Sequence, residues 1–233
     1  AAFLEAAGLE TDFAVACEPY RERDWQEAFR QGFEPVAVGG RLVVAPSWWE
    51  GPLPEAATVL RIDPQMAFGT GHHPTTRACL AWLVARAEAA AGRPGSLLDA
   101  GCGSGVLAIA GHRLGFAPVT AVDSDPVACA TARRNAAANG AAVAVVEGDL
   151  ARASLAPAAT VVANLTAGAI LALLPRLLAW VAPGGRLLLA GILAEREREV
   201  AQAVAAAGGR PRRYAEEAGW VALECVSPRE RPE

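Results

Sequence analysis

Three glycines near the middle of the chain could shape a turn around a small ligand. They are Gly101, Gly103 and Gly105 of the segment LLDAGCGSG. Glycine lets the backbone pass close to a ligand and turn sharply, and the amides that open a following helix can hold an anionic group. The spacing is G-x-G-x-G, with Val106 where dinucleotide-binding turns place their third glycine. It favours a nucleoside with an amino-acid tail over a pyrophosphate, and a tight turn without a ligand is the alternative.

Three aspartates stand where they could contact such a ligand. Asp123 ends an apolar run beyond the glycines, and a carboxylate at such a strand end can accept hydrogen bonds from both hydroxyls of a ribose. Asp149 follows the next apolar run, where it could meet an adenine amino group or cap its own loop. Asp99 precedes the glycines, and we expect it to order the amides of the turn or to contact an ammonium group of the ligand.

Asn164 and the segment FGTGHHPTT supply further polar groups. Asn164 follows a fourth apolar run, and its amide offers a donor and an acceptor to a reacting centre. Residues 69–76 could fold over a bound ligand as a lid, with Gly69 and Gly71 as flexible points. Within this segment His73 is a candidate general base, and a structural role in the lid is the alternative that we favour.

The composition argues against several other kinds of site. All 21 cationic residues are arginine, which excludes a lysine nucleophile or Schiff base. The five cysteines stand singly, a pattern typical of reduced thiols in a cytoplasmic protein. The adjacent His72 and His73 lack a third ligand, so no metal site is expected. A net charge of −4 provides no basic field for nucleic acid, and the most apolar run, residues 170–181, is too short to cross a membrane.

Apolar runs that alternate with amphipathic stretches must position these groups. The pattern predicts strands at residues 97–100, 119–122, 143–146, 160–163 and 186–190, and helices at residues 106–114, 126–139, 169–181 and 195–207. Two more strands flank a turn at Ala218-Gly219 and form an antiparallel C-terminal edge. The predicted fold is therefore α/β and Rossmann-like, with a seven-stranded, mostly parallel sheet and helices on both faces. In such a fold, ligands bind at the carboxyl edge of the sheet.

Together these motifs resemble the PrmA family, the bacterial methyltransferases that modify the eleventh protein of the large ribosomal subunit. The resemblance spans residues 25–226 and rests on RLVVAPSW, FGTGHHPTT, LLDAGCGSG, VDSDP, ANLTAG and LLLAGIL. The combination of F-G-T-G-x-H-x-T-T with N-L-x-A-G is specific to that family, whereas the glycine motif is shared with most methyltransferases. The resemblance implies S-adenosylmethionine as the cofactor, bound by Thr76, Gly101, Asp123 and Asn164, and it makes His73 the lid histidine.

The resemblance also implies a class I methyltransferase whose acceptors are lysine side chains and the N-terminal amine of that ribosomal protein. Asn164 and the lid are the candidates for orienting the acceptor amine. The absence of N-P-P-[YFW] after position 163 counts against adenine and glutamine amides as acceptors. We expect a cytoplasmic monomer with no metal and no direct contact to nucleic acid or membrane.

One departure from the family concerns its small N-terminal domain, which binds the ribosomal protein. We interpret residues 1–33 as the remnant of that domain plus a linker helix, and residues 34–233 as the methyltransferase domain. Three alternatives stay open. They are a methyltransferase for another protein or a small molecule, a dinucleotide-dependent oxidoreductase, and a binding module without catalysis.

Overall fold

A computed structural model of the chain describes residues 34–53, 58–63, 71–91 and 93–226. The strands are β1 (Val36–Val38), β2 (Leu42–Pro46), β3 (Thr58–Ile62), β4 (Leu97–Ala100), β5 (Val119–Asp123), β6 (Val143–Glu147), β7 (Ala158–Asn164), β8 (Val181–Leu193), β9 (Arg210–Glu217) and β10 (Trp220–Val226). The α-helices are α1 (Pro74–Ala89), α2 (Val106–Arg113), α3 (Pro126–Ala138), α4 (Ala167–Ala179) and α5 (Glu197–Ala206).

Seven of these strands form one sheet in the order β6-β5-β4-β7-β8-β10-β9. The first five strands in that order run parallel, and β10 pairs antiparallel with both β8 and β9. Successive residues of β4 enter two different apolar cores, since Leu97 packs in the core that contains α1 and α2, and Leu98 in the core that contains α4. The predicted fold class is confirmed, with helices covering both faces.

The order of the strands reverses around β4. The chain builds β5 and β6 on one side of β4 and then returns to place β7 on the other side. In an open α/β sheet, the crevice for a ligand lies outside the carboxyl ends of the strands at such a reversal. Gly101 directly follows β4 and Asn164 is the last residue of β7, so both lie at this crevice.

The predicted bounds of several elements differ from those in the structure, and two of these differences have a clear physical cause. Helix α4 begins at Ala167, two residues before the predicted start, because the Thr166 hydroxyl accepts a hydrogen bond from an amide of its first turn at 3.4 Å. Strand β8 begins at Val181, where a helix was predicted to end, and its register to β7 shifts before Arg186. Only the regular part of β8, residues 186–190, showed a strand pattern in the sequence.

The chain also forms a second, three-stranded sheet, of which the sequence RLVVA predicts only the middle strand, at residues 41–45. Strand β2 pairs antiparallel with β1 and parallel with β3. Two buried asparagines of the α3 region bind the open backbone of the β3 segment. Asn139 exchanges two 2.8 Å hydrogen bonds with Arg61, and Asn135 exchanges bonds of 3.0 and 3.1 Å with Asp63. These amide side chains satisfy backbone groups that a further strand would otherwise bind.

The domain remnant and the linker helix that we predicted within residues 1–33 lie outside the described residues. The division of the chain at residue 34 into a recognition remnant and a methyltransferase domain therefore stays a prediction. In the ranges that the structure does describe, no helix is both long and apolar enough to span a membrane.

Candidate active site

A cavity of about 430 Å³ lies at the carboxyl edge of the seven-stranded sheet. Its volume falls in the range of roughly 300–1,000 Å³ that small-molecule sites occupy. Six of the residues predicted from the sequence line it together, namely His73, Thr76, Gly101, Gly103, Asp123 and Asn164. Three others, Asp99, Gly105 and Asp149, do not belong to this lining.

The glycine turn is fixed to the neighbouring strand by its backbone. The amides of Gly101 and Cys102 donate to the carbonyl oxygen of Val122 at 2.8 and 3.0 Å. Gly101 has a φ of +81°, and a Cβ added there would come 2.5 Å from a methyl carbon of Leu165. A side chain at position 101 would therefore fill the space between the turn and the Leu165 segment.

Gly105 serves the packing of two helices. Its φ is +80°, and an added Cβ would lie 2.9 Å from the Cβ of Ala132 on α3. Because Gly105 precedes the first residue of α2, the missing side chain allows α2 to start close against α3. This residue supports the site by holding α2 in place, and its predicted contact to the cofactor stays a prediction.

Asp123 joins the glycine turn to the end of β5. Its Oδ2 accepts a hydrogen bond from the amide of Gly103 at 2.9 Å, and its Oδ1 accepts one from the amide of Asp125 at 3.0 Å. An ionised carboxylate can accept about four hydrogen bonds, so each oxygen keeps capacity for a further donor. Since the side chain is half-buried and lines the cavity, that capacity is available to ligand hydroxyls.

Asp99 lies behind the turn and is fully buried. Its Oδ2 accepts a hydrogen bond from the amide of Ala108 at 3.1 Å, and its Oδ1 has no partner among the described residues. Burial raises the pKa of Asp99 to about 7, opposed by the Ala108 hydrogen bond and reinforced by the charge of Asp123. The Ala108 amide belongs to α2 and not to the glycine turn, so both the ordering of the turn's amides and the contact with a ligand ammonium stay predictions.

Asp149 uses its carboxylate within its own loop. Its Oδ1 accepts a hydrogen bond from the amide of Ala151 at 2.8 Å, and its Oδ2 lies 3.7 Å from the guanidinium of Arg152. The next residue, Leu150, lines the cavity instead. The loop-capping alternative therefore describes what Asp149 does here, and its contact to adenine stays a prediction.

At the end of the cavity opposite Asp123, residues of α1, β7 and β10 come together. Asn164 Nδ2 lies 3.5 Å from the hydroxyl oxygen of Thr76, which is buried in the first turn of α1. The ring of His73 meets the ring of Trp220 edge to face, with centroids 4.9 Å apart and an interplanar angle of 71°. Of these four side chains, that of Asn164 comes from the end of β7 and that of Trp220 from the start of β10.

His73 caps the N-terminus of α1. Its Nδ1 accepts a hydrogen bond from the amide of Thr75 at 3.4 Å and lies 2.8 Å from the hydroxyl oxygen of the same residue. Burial, and then the charge of Arg77, lower the pKa of His73, so the ring is neutral at pH 7. With Nδ1 as an acceptor, the proton of the neutral ring lies on Nε2, which leaves neither nitrogen free to take a proton from the acceptor amine. The capping contacts therefore favour the structural role over the role of base.

The predicted lid is described only in part. Phe68, Gly69 and Thr70 fall in residues 64–70, outside the described ranges, and the described part begins at Gly71. Gly71 has a φ of +87°, and an added Cβ would lie 3.2 Å from Val44 of β2. Closure of residues 69–76 over a ligand stays a prediction.

Several lining residues were missed by the sequence reasoning. They include Leu150, Leu165, Gly191 and Trp220. Gly191 lies so close to the Leu165 segment that an added Cβ would come 2.2 Å from the carbonyl oxygen of Leu165. The glycine in the run LLLAGIL could have indicated this close approach, whereas no local pattern marks Trp220. Among the residues with described positions, no group of three or more His, Cys, Asp or Glu could hold a metal ion.

Comparison with known proteins assigns a family. A family model described as ribosomal protein L11 methyltransferase (PrmA) matches residues 2–228. A ribosomal protein L11 methyltransferase from Symbiobacterium thermophilum is 42% identical over 208 residues, covering 89% of this chain and 67% of that protein. One from Ralstonia nicotianae is 40% identical, covering 98% and 74% respectively. The crystal structure of ribosomal protein L11 methylase from Lactobacillus delbrueckii subsp. bulgaricus has a TM-score of 0.75 at 28% identity, covering 84% of this chain and 100% of that one.

Proposed function

This chain belongs to the ribosomal protein L11 methyltransferase (PrmA) family, and we propose that it methylates amines of ribosomal protein L11 with S-adenosylmethionine as the methyl donor. The family, the fold class and the cofactor predicted from the sequence are confirmed. The observation that carries the proposal is the single cavity that has the glycine turn and Asp123 at one end and Asn164, His73 and Trp220 at the other.

The residues of the cavity fit S-adenosylmethionine. Asp123 offers acceptor capacity on both oxygens for ribose hydroxyls, and the backbone of Gly101 and Gly103 lines the same cavity. Val106, Leu107 and Leu150 add apolar surface to the same cavity, which suits a purine ring. When bound, the cofactor supplies an electrophilic methyl group on a sulfonium sulfur.

The protein must present an acceptor amine with a free electron pair. A lysine has a pKa near 10.4, and holding it neutral at pH 7 costs roughly 4.6 kcal/mol. A desolvated site lowers the pKa of an amine and so reduces that cost. The neutral His73 ring and the Trp220 ring at this end of the cavity add no positive charge of their own, and they shield the amine from water.

Position is the main contribution that the residues make to the rate. Holding two reactants at attack distance in the right orientation can supply ~7–11 kcal/mol of the barrier. We assign the orientation of the amine to Asn164, whose amide can accept its N–H while the nearby Thr76 limits how the side chain rotates. We assign His73 to the wall of the site, because its Nδ1 already serves the cap of α1.

We also propose that the enzyme works in the cytoplasm as a monomer and does not bind nucleic acid directly. In the part of the chain that the structure describes, Cys79, Cys102, Cys129 and Cys225 are free thiols. Free thiols are typical of a reducing compartment. The net charge of −4 gives the protein no general attraction to phosphate backbones.

Mass spectrometry of methylated ribosomal protein L11 tests the proposal. The unmethylated protein would be incubated with the enzyme and isotopically labelled S-adenosylmethionine, and its peptides would then be mapped. We expect label on lysine side chains and on the N-terminal amine, with much less label from the Asn164→Ala enzyme. Label that appears only on other proteins, on RNA or on small molecules of a cell extract would contradict the proposed acceptor.

A further inference from the structure

Arg77, on the second turn of α1, contacts two other parts of the molecule at once. Its guanidinium donates hydrogen bonds to the carbonyl oxygen of His72 and to Oε1 of Glu217 on β9. We propose that Arg77 is a positioning residue for methyl transfer, which fixes the start of α1 against the β9–β10 hairpin and preserves the cap that His73 provides. The proposal rests on the proposed function for its rate measurement.

Two contacts join the start of α1 to this hairpin. One is the ion pair between Arg77 and Glu217, and the other is the edge-to-face contact between His73 and Trp220. The partners of each contact lie more than a hundred residues apart in the chain, so the contacts hold together segments with no local connection. The positions of these segments at the acceptor end of the cavity therefore depend on both contacts.

The ion pair between Arg77 and Glu217 lies at a second cavity, which adjoins the cavity of the active site. This second cavity has a volume of about 580 Å³ and is lined by Arg77 and Glu217. Thr75 and Trp220 line both this cavity and the cavity of the active site. The Arg77–Glu217 pair therefore lies directly beside the wall that the active site uses at its acceptor end.

The charge of Arg77 also acts on the cap. The pKa of His73 is lowered by burial and then by Arg77, and a protonated Nδ1 could no longer accept the hydrogen bond from Thr75. The other titratable side chains that line the two cavities around this ring are Cys102, Asp123, Tyr214, Glu216 and Glu217, and His72 is adjacent in the chain. Among all these groups, Arg77 supplies the positive charge that opposes protonation.

If Arg77 had only a structural role, its loss would appear mainly in the free energy of unfolding. The side chains of Arg77 and Glu217 are 32% and 53% exposed, and exposed ion pairs add little to the free energy of unfolding. Loss of Arg77 should therefore appear in the rate of transfer and in the titration of His73. The melting temperature should change little.

The decisive variant is Arg77→Met, which keeps the apolar stem and removes both the charge and the donors. We expect kcat to fall about five- to tenfold, because a small displacement at the reacting centre costs rate, while the Kd for S-adenosylhomocysteine stays within about twofold. Glu216→Gln is the matched control, since Glu216 lies on the same hairpin but pairs with Arg213. It should leave kcat unchanged.

Histidine NMR gives the second readout. The chain has 3 histidines, so the ring signals are few, and His73→Asn identifies the signals of position 73. In Arg77→Met the midpoint of the His73 titration should move to higher pH, and the acid side of the rate profile should move with it. In Glu216→Gln neither should move.

A charge exchange separates the two contributions of Arg77. The double variant Arg77→Glu with Glu217→Arg restores an ion pair to the hairpin but places a negative charge beside His73. At pH 8 it should be more active than Arg77→Glu alone. Its His73 titration should still lie at higher pH than in the wild type.

Wild-type kcat in Arg77→Met, or a fall in kcat without any movement of the His73 titration, would overturn the proposal. A wild-type enzyme that fails to methylate ribosomal protein L11 would instead refute the proposed function. In that case the NMR titration still decides whether Arg77 controls His73, because it needs no acceptor.

Discussion

At the Asp123 end of the cavity, the wall is formed by segments that follow each other in the chain, whereas at the Trp220 end it is formed by segments that lie far apart. Gly101 and Gly103 directly follow β4, and Asp123 ends the next strand, β5. The amides of the glycine turn donate to the Val122 carbonyl oxygen and to the Asp123 carboxylate, which fixes the turn to the end of β5. At the other end, two side-chain contacts join α1 to distant strands: Thr76 lies 3.5 Å from Asn164 of β7, and the ring of His73 meets the ring of Trp220 of β10. The first end should therefore tolerate changes elsewhere, and the second should be sensitive to distant packing.

The largest effect on kcat is expected at Gly191, where the backbone packs closely against the Leu165 segment of the cavity wall. Gly191 has a φ of +85°, and an added Cβ would lie 2.2 Å from the carbonyl oxygen of Leu165. In Gly191→Ala the Leu165 segment must move, and we expect kcat to fall by about 10² because displacements near 1 Å can cost that much. Steady-state kinetics with saturating cofactor would measure it.

Gly208→Ala is the control for this change. Gly208 has nearly the same φ, +84°, but an added Cβ would meet nothing within 4 Å. It should lose about 1–2 kcal/mol in the free energy of unfolding from the left-handed backbone alone, with kcat unchanged. Equal kinetic losses in the two variants would show that backbone strain, and not the Leu165 contact, limits transfer.

Asp123→Ala probes the other end of the cavity. Hydrogen bonds to a charged group contribute about 1.5–3 kcal/mol, so the Kd for S-adenosylmethionine should rise by about tenfold to a hundredfold. The fold should survive, because the carboxylate lies at the end of a strand and is half-buried. Calorimetric titration measures the change, and Asp125→Ala is the control, since its carboxylate caps α3. An unaltered Kd in folded Asp123→Ala would remove Asp123 from the cofactor site.

Two substitutions of His73 separate its role as a cap from a role as a base. Asparagine is a good N-cap residue that cannot titrate, whereas alanine is a poor one. If His73 caps α1, His73→Asn should retain activity within about threefold of wild type and His73→Ala should be less active, the cap being worth about 0.5–2 kcal/mol. If His73 were the base, both variants should lose about 10²–10⁴ in rate. Rate profiles from pH 6 to 9 would distinguish these outcomes.

The smallest kinetic effect is expected from Glu224, which anchors β10 well away from the reacting groups. Burial acts to raise the pKa of Glu224, but hydrogen bonds from Arg212 and Trp82 and the charge of Arg186 outweigh it, and the pKa is lowered from 4.5. A carboxylate with a lowered pKa stabilises the fold above its unfolded pKa, and this stabilisation is lost as the pH falls through the folded value.

Glu224→Gln should therefore reduce the free energy of unfolding at pH 7 by about 1–2 kcal/mol, with kcat unchanged. The difference from wild type should shrink as the pH falls below about 4.5, the ordinary pKa of a glutamate. Urea denaturation at several pH values would show it. A constant difference down to pH 3 would mean that the ion pairs of Glu224 contribute nothing to stability.

The contrast between the two ends also explains what could be predicted from the sequence. The glycine turn and Asp123 could be predicted because their spacing in the sequence is local. The central strands could be predicted because their continuous apolar runs reflect burial on both faces. Trp220 could not be predicted, because its place in the site depends on the antiparallel return of β10 and on contact with His73.

Other failures also have identifiable physical causes. Asn139 binds the backbone of Arg61 in β3 and Asn135 binds that of Asp63 directly after it, and no strand pattern reveals these contacts. The irregular start of β8 at Val181 could not be predicted, because the sequence up to this residue shows an apolar helical pattern. Asp149 was ambiguous in the sequence, since a carboxylate after a strand serves equally to cap a loop.

Calorimetric titration of the wild-type protein with three ligands tests the central claim most directly. If the cavity at the carboxyl edge is a site for S-adenosylmethionine, that ligand and S-adenosylhomocysteine should bind with one site per chain, and NAD should give no heat of binding. Both should bind less tightly to Asp123→Ala. Tight binding of NAD together with no binding of S-adenosylmethionine would contradict the account.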